Sequence, residues 1–108
     1  GAPNMSVLLE FSMFPTDKGE SVSAYVSEVI RLLRDSGARY QLTAMGTVVE
    51  SDDLQQALEL VQRCYQVLDD AGCKRVYASL KLDIRKGRER RLTGKVDAVR
   101  ARIGELST

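Results

Sequence analysis

At 108 residues, with 29% charged side chains and a net charge of +1, the chain is sized for one hydrophobic core. It carries neither a general nucleic-acid footprint nor an acidic tail. It has no histidine and only two cysteines, Cys64 and Cys73, whose spacing suits neither a CxxC redox pair nor a zinc site, so His-based triads and structural zinc or copper drop out.

Gly1 to Asn4 precede Met5 and read as the remnant of a cleaved expression tag, which leaves residues 5–108 as a single domain. No secretory leader follows Met5 and no stretch approaches the ~18 apolar residues of a membrane span, so a cytoplasmic protein without a membrane partner is expected. From Ser6 to Met13, Val7, Leu9, Phe11 and Met13 alternate with Ser6, Leu8, Glu10 and Ser12, the period of two that marks a strand. Pro15 to Gly19 break it, and Ser21 is placed to cap a helix whose apolar positions are Val22, Tyr25, Val26, Val29, Ile30 and Leu33, with Gly37 as its stop.

Tyr40 to Thr43 and Gly46 to Glu50 are short strand candidates around Ala44-Met45, the arrangement of a tight hairpin. Ser51-Asp52-Asp53 puts acidic groups at the start of a second helix, with Leu54, Leu58, Val61, Tyr65 and Leu68 as the expected buried stripe up to Gly72. Cys64 lies beside that stripe and reads as a small buried hydrophobe. Arg75 to Arg85 alternates Val76, Ala78, Leu80, Leu82 and Ile84 with polar residues, a long strand with one core face and one wet or shared face. Leu92, Val96, Val99, Ile103 and Leu106 form the narrow seam of a last helix.

The order β-α-β-β-α-β followed by a helix predicts an α+β, ferredoxin-like antiparallel sheet with two helices on one face. The other face is expected to stay open, with Leu8, Val49 and Tyr77 on it, as a ligand or self-association surface. The final helix is expected to reach a second subunit. Ser12, Thr43, Met45, Gly46, Thr47 and Glu50 gather hydroxyls, one carboxylate and a glycine around the central hairpin. In this topology the first and third strands are adjacent, so Ser12, Thr47 and Glu50 are expected to converge. Ordinary strand threonines and a glutamate that helps to start a helix describe the same residues equally well. The basic run Arg85, Lys86, Arg88, Arg90, Arg91 and Lys95 is interrupted by Glu89 and reads as a solvated turn rather than an anion site. RNA-recognition domains share the element order but stack bases on aromatics where this chain has Thr47-Val48-Val49, so a nucleic-acid partner is not expected.

Met13-Phe14-Pro15 with Ser21 to Val26, Ser36-Gly37 with Tyr40 to Glu50, Gly72 to Val76, and Lys81 to Arg85 together resemble the small thiamine-binding protein family, most specifically at Met45 to Glu50. The resemblance departs from the family's common pattern at Cys64 and Ser51, where a histidine and a glycine are usual. It implies a ferredoxin-like fold, assembly into dimers or tetramers, and binding of thiamine or a related hydroxymethylpyrimidine without catalysis, resident cofactor or metal. Carried over by position, its ligand residues are Ser12, Thr43, Met45, Gly46, Thr47 and Glu50, with Pro15 and Ser21 shaping the wall. The rival expectation is a structural or regulatory oligomerisation module that binds another protein through its open sheet face. An enzyme would have to rest on Glu50, Asp83 and Cys64, which spacing alone does not bring together.

Overall fold

The computed structural model describes residues 5–87 and 91–104. The elements follow the expected order: β1 (Met5–Pro15), a short 3-10 turn (Gly19–Ser21), α1 (Val22–Asp35), β2 (Arg39–Thr43), β3 (Gly46–Ser51), α2 (Leu54–Asp70), β4 (Val76–Lys86) and α3 (Arg91–Ile103). The strands form one sheet in the order β2-β3-β1-β4, with every pairing antiparallel. This is the ferredoxin-like arrangement. The tag-like residues 1–4 and the predicted Arg88, Arg90 and Leu106 lie outside the described residues, as do the side chains of Arg91, Lys95 and Val96.

The alternation of β1 decides what the sheet buries. Val7, Leu9, Phe11 and Met13 face α1 and α2, where Val29 and Leu33 of α1 and Leu60, Cys64 and Leu68 of α2 complete the core with Val49. Leu9, Leu33 and Leu68 are fully buried, and each contributes about 1.5–3 kcal/mol relative to an exposed position. Val49 belongs here and not on the opposite face, because it pairs with Leu9 and directly paired residues share a face.

Two helix readings shift on inspection. The buried face of α2 is Ala57, Leu60, Cys64 and Leu68, while Leu58 and Tyr65 are exposed. Leucine and tyrosine at i, i+4 and i+11 mimic a helical stripe, but the small residues Ala57 and Cys64 let the helix approach the sheet closely. Cys64 is therefore central to the packing rather than beside it. At the start of α1, Ser21 makes no side-chain cap, because the preceding 3-10 turn holds its backbone at φ −84° and ψ 13°, away from the extended geometry that aims a cap side chain at the first turn. In α2 the cap is made by Asp53, whose carboxylate accepts the Gln56 N–H at 2.8 Å, as acidic residues do at a positive helix end.

The far face of the sheet is not bare. α3 packs across it, against β3, β1 and β2, so its first contact is with its own sheet. Farther along, Val99 and Ile103 stay exposed. The uncovered apolar surface lies instead on β4. Ala78, Leu80, Leu82 and Ile84 point to the same side as Met13, Phe11, Leu9 and Val7, with which they pair. Yet Leu80, Leu82 and Ile84 are 40–46% exposed, because α1 and α2 sit over β1 and β3.

Candidate functional site

A cleft of about 640 Å³ opens between α1 and the end of the sheet where the β2–β3 hairpin turns. The strand ladder explains its position. Pairing of β1 with β3 ends at Phe11 and Thr47, whereas β1 runs on beside β4 to Pro15. The residues of β1 beyond Phe11 therefore have a neighbouring strand on one side only, and α1 spans the gap.

The hairpin that closes the cleft is built by Thr43. Its hydroxyl accepts the N–H groups of Met45 and Gly46 at 3.1 Å each and donates to the Gly46 carbonyl at 2.9 Å. These bonds hold a two-residue turn with no help from tertiary contacts. Gly46 then passes so close to β1 that an added Cβ would lie 3.1 Å from the Phe11 carbonyl oxygen. Glycine at 46 is thus required by the close approach of two strands.

The walls separate by chemistry. Phe11 and Tyr40 supply aromatic surface, and Val26, Ile30 and Leu42 supply aliphatic surface, with Phe14 at the border. Ser23, Ser27 and Thr47 bring hydroxyls to the same space, while Ser12, alternating with Phe11 and Met13, borders it from β1. The Ser27 hydroxyl is engaged, donating to the Ser23 carbonyl at 2.7 Å. That of Thr47 has no hydrogen-bond partner among the described residues, although Thr47 is only 8% exposed. A hydroxyl in so buried a residue that faces a cleft without a protein partner is a group whose bond is left to solvent or to a ligand. Arg31 and Arg34 complete the lining from α1, and among the described residues no carboxylate lines this cleft.

The six residues singled out from the sequence are divided by this geometry. Ser12, Thr43, Gly46 and Thr47 line the α1 cleft. Met45 sits at the tip of the hairpin, 86% exposed. Pro15 is buried at the end of β1, and Ser21 is exposed before α1. The expected convergence of Ser12, Thr47 and Glu50 does not occur, because Thr47 and Glu50 are three positions apart on one strand and so face opposite sides of the sheet. Glu50 is 4% exposed beneath α3. Its carboxylate accepts the Ser6 hydroxyl at 2.8 Å and the Leu92 N–H at 3.2 Å, the latter within the first turn of α3. It thereby ties the last helix to the sheet, an anion placed at a positive helix end.

Glu50 also borders a second cleft, of about 470 Å³, between the end of α1 and the start of α2. That cleft holds Arg39, paired with Asp52 at 3.0 Å, together with Glu59 and Arg63, and no aromatic residue. The other possible catalytic group, Cys64, lies in the core, where burial pushes its thiol up to about 11. Glu50, Asp83 and Cys64 do not come together in either of these two clefts. Sequence reasoning missed Ser27, Tyr40, Arg31 and Arg34 as lining residues. The signal for the arginines was available, since their i, i+3 spacing puts both on one side of α1.

A ferredoxin-like α+β domain with an aromatic, hydroxyl-lined cleft beside its central hairpin is the class of small-molecule site that these elements define. The thiamine-binding protein family model matches residues 9–100, and the chain belongs to that family. It is 42% identical over 95 residues to a UPF0045 protein of Mycobacterium bovis, covering 88% of this chain and 92% of that one. Among solved structures it is similar to a hypothetical protein of Methanocaldococcus jannaschii, with a TM-score of 0.72, 37% identity, and coverage of 87% of this chain and 95% of the other. It also shares its fold with a Thermotoga maritima protein described as a candidate thiamine biosynthesis/salvage protein. There the TM-score is 0.75 at 19% identity, covering 88% and 99% of the two chains.

Proposed function

We propose that this protein binds thiamine or a related hydroxymethylpyrimidine in the α1 cleft, without catalysing a reaction on it. The observation that carries the reading is Thr47, a residue only 8% exposed whose hydroxyl opens to the cleft and has no partner among the described residues, set among aromatic walls in a cleft of ligand size. The family match supports the ligand class. An aminopyrimidine needs donors and acceptors at its edge, which Thr47 and Ser23 offer, and flat apolar surface, which Phe11 and Tyr40 offer. The second cleft lacks that flat surface. Among the described residues no cysteine or carboxylate lines the α1 cleft, so its hydroxyls have no evident general base beside them, in keeping with binding rather than turnover.

Self-association is part of the same reading. β4 is an edge strand of 11 residues with one strand neighbour, and it carries the half-exposed stripe Leu80, Leu82 and Ile84. A long apolar edge is a pairing hazard unless something covers it, and a second copy in antiparallel register does so symmetrically. The oligomerisation-module alternative loses its open far face to α3 and keeps only this edge. No helix among the described residues is long and apolar enough to cross a membrane. Cys64 and Cys73 are free thiols, which suits a reducing cytoplasmic compartment.

Calorimetric titration with thiamine and with hydroxymethylpyrimidine tests the binding. The expected result is saturable heat that is weakened in Thr47→Val, together with about 2.7 kcal/mol of added stability at 100 times the dissociation constant. No heat and no thermal shift at millimolar ligand would overturn the reading.

A further inference from the structure

The charge of the α1 cleft points beyond the ring it accommodates. Arg31 and Arg34 both line it, and among the described residues no aspartate or glutamate does. Each arginine has an acidic neighbour, Glu28 at 3.2 Å from Arg31 and Asp35 at 3.0 Å from Arg34, but both pairs are more than half exposed. Exposed pairs of this kind hold their members weakly, so both guanidinium groups are available to a stronger anion. Glu50, the one carboxylate among the ligand residues that the resemblance implies, faces the other side of the sheet and is engaged by Ser6 and the first turn of α3. The cleft is therefore apolar and hydroxylated within, and cationic where it meets α1.

That combination favours a ligand with an aromatic ring at one end and an anion at the other. Resting on the binding reading above, we propose that the preferred ligand is the phosphate monoester of the pyrimidine or thiamine rather than the free alcohol, with Arg31 and Arg34 holding the phosphate. Two planar forks on one helical face match the tetrahedral oxygens of a phosphate through paired N–H donors. The ring then lies toward Phe11, Tyr40 and the Thr47 hydroxyl.

The test is calorimetry at low salt with hydroxymethylpyrimidine, thiamine, the monophosphate of each, and inorganic phosphate, on the full chain and on Arg31→Gln, Arg34→Gln and the double variant. At least about tenfold tighter binding of each monophosphate than of its alcohol is expected, the yield of one or two charge-assisted bonds. This advantage, read as the ratio of the two affinities in each variant, shrinks with added salt and disappears in the double variant. Arg34→Lys retains part of it, since the charge survives without the fork. Inorganic phosphate alone binds weakly because it forgoes the ring contacts. Arg63→Gln, in the second cleft, leaves the advantage intact. Equal affinity for alcohol and monophosphate overturns this inference and spares the binding reading, as does an advantage that survives the double variant or is lost in Arg63→Gln. Absence of binding by every compound overturns both.

Discussion

Replacing Glu50 separates a structural carboxylate from a ligand-binding one. Its two oxygens accept from the Ser6 hydroxyl at 2.8 Å and from the Leu92 N–H at 3.2 Å. Hydrogen bonds to a charged acceptor contribute about 1.5–3 kcal/mol each, and the favourable placement at a helix start adds about 0.3–1 kcal/mol. The two bonds are not additive, because freeing α3 relieves part of the strain of losing the second. Glu50→Ala is therefore expected to cost about 2–4 kcal/mol in urea unfolding, and Glu50→Gln, which keeps one carbonyl oxygen, about half that. Amide hydrogen exchange should show the loss first in α3, with β1, α1 and α2 still protected, since the core leucines lie on the opposite side of the sheet. Ligand affinity in Glu50→Gln should stay within about twofold of the parent, a difference below 0.5 kcal/mol. Abolished binding with unchanged stability and α3 protection would refute the reasoning and put the carboxylate in the site. A Glu50→Ala variant as stable as the parent would refute its role in holding α3.

Leu82→Lys on the exposed stripe of β4 should shift the protein toward monomer in analytical ultracentrifugation without lowering the stability of the chain, because a charge on an edge strand opposes pairing. The Cys64 thiol, held up to about 11 by burial, should resist alkylation at pH 8 in the folded protein and react at once in denaturant. With its folded value above the ordinary 9.0, the thiol favours the fold fully below pH 9, and that contribution fades as pH rises toward 11. Asp17 accepts the Lys74 N–H at 2.8 Å, a bond that lowers its carboxyl below the ordinary 3.8. Its contribution is complete above that value and is lost as pH falls below it, so Asp17→Ala should flatten the acid limb of stability against pH.

The fold was legible because its signals are periodic. The alternation of β1, the α1 stripe ending at Gly37 and the two-residue gap at Ala44-Met45 each state a local geometry, and the element order states the sheet. What sequence did not reveal is which apolar faces find a partner. Leu80, Leu82 and Ile84 have the pattern of a core face, but burial depends on how far two helices of fixed width reach across four strands. The α2 stripe was misplaced by one position because large residues signal hydrophobicity more loudly than Ala57 and Cys64, which make the close contact. At the site, Thr43, Gly46 and Thr47 were legible as an unusual polar hairpin. Glu50 was grouped with them by proximity in sequence, although strand parity already sent it to the other side from Thr47. Arg31 and Arg34 were visible only as solvent-facing residues of a helix, since their role follows from the cleft left where β3 ends and β1 continues.

The most direct test of the account is to map amide chemical-shift changes by NMR while hydroxymethylpyrimidine phosphate is titrated into the protein. Saturable shifts centred on Phe11, Ser27, Tyr40 and Thr47, with Arg31 and Arg34 following, are the predicted result. Shifts centred on Ser6, Glu50 and Leu92, or on Arg39 and Arg63 in the second cleft, would contradict it, as would a spectrum that does not change at millimolar ligand.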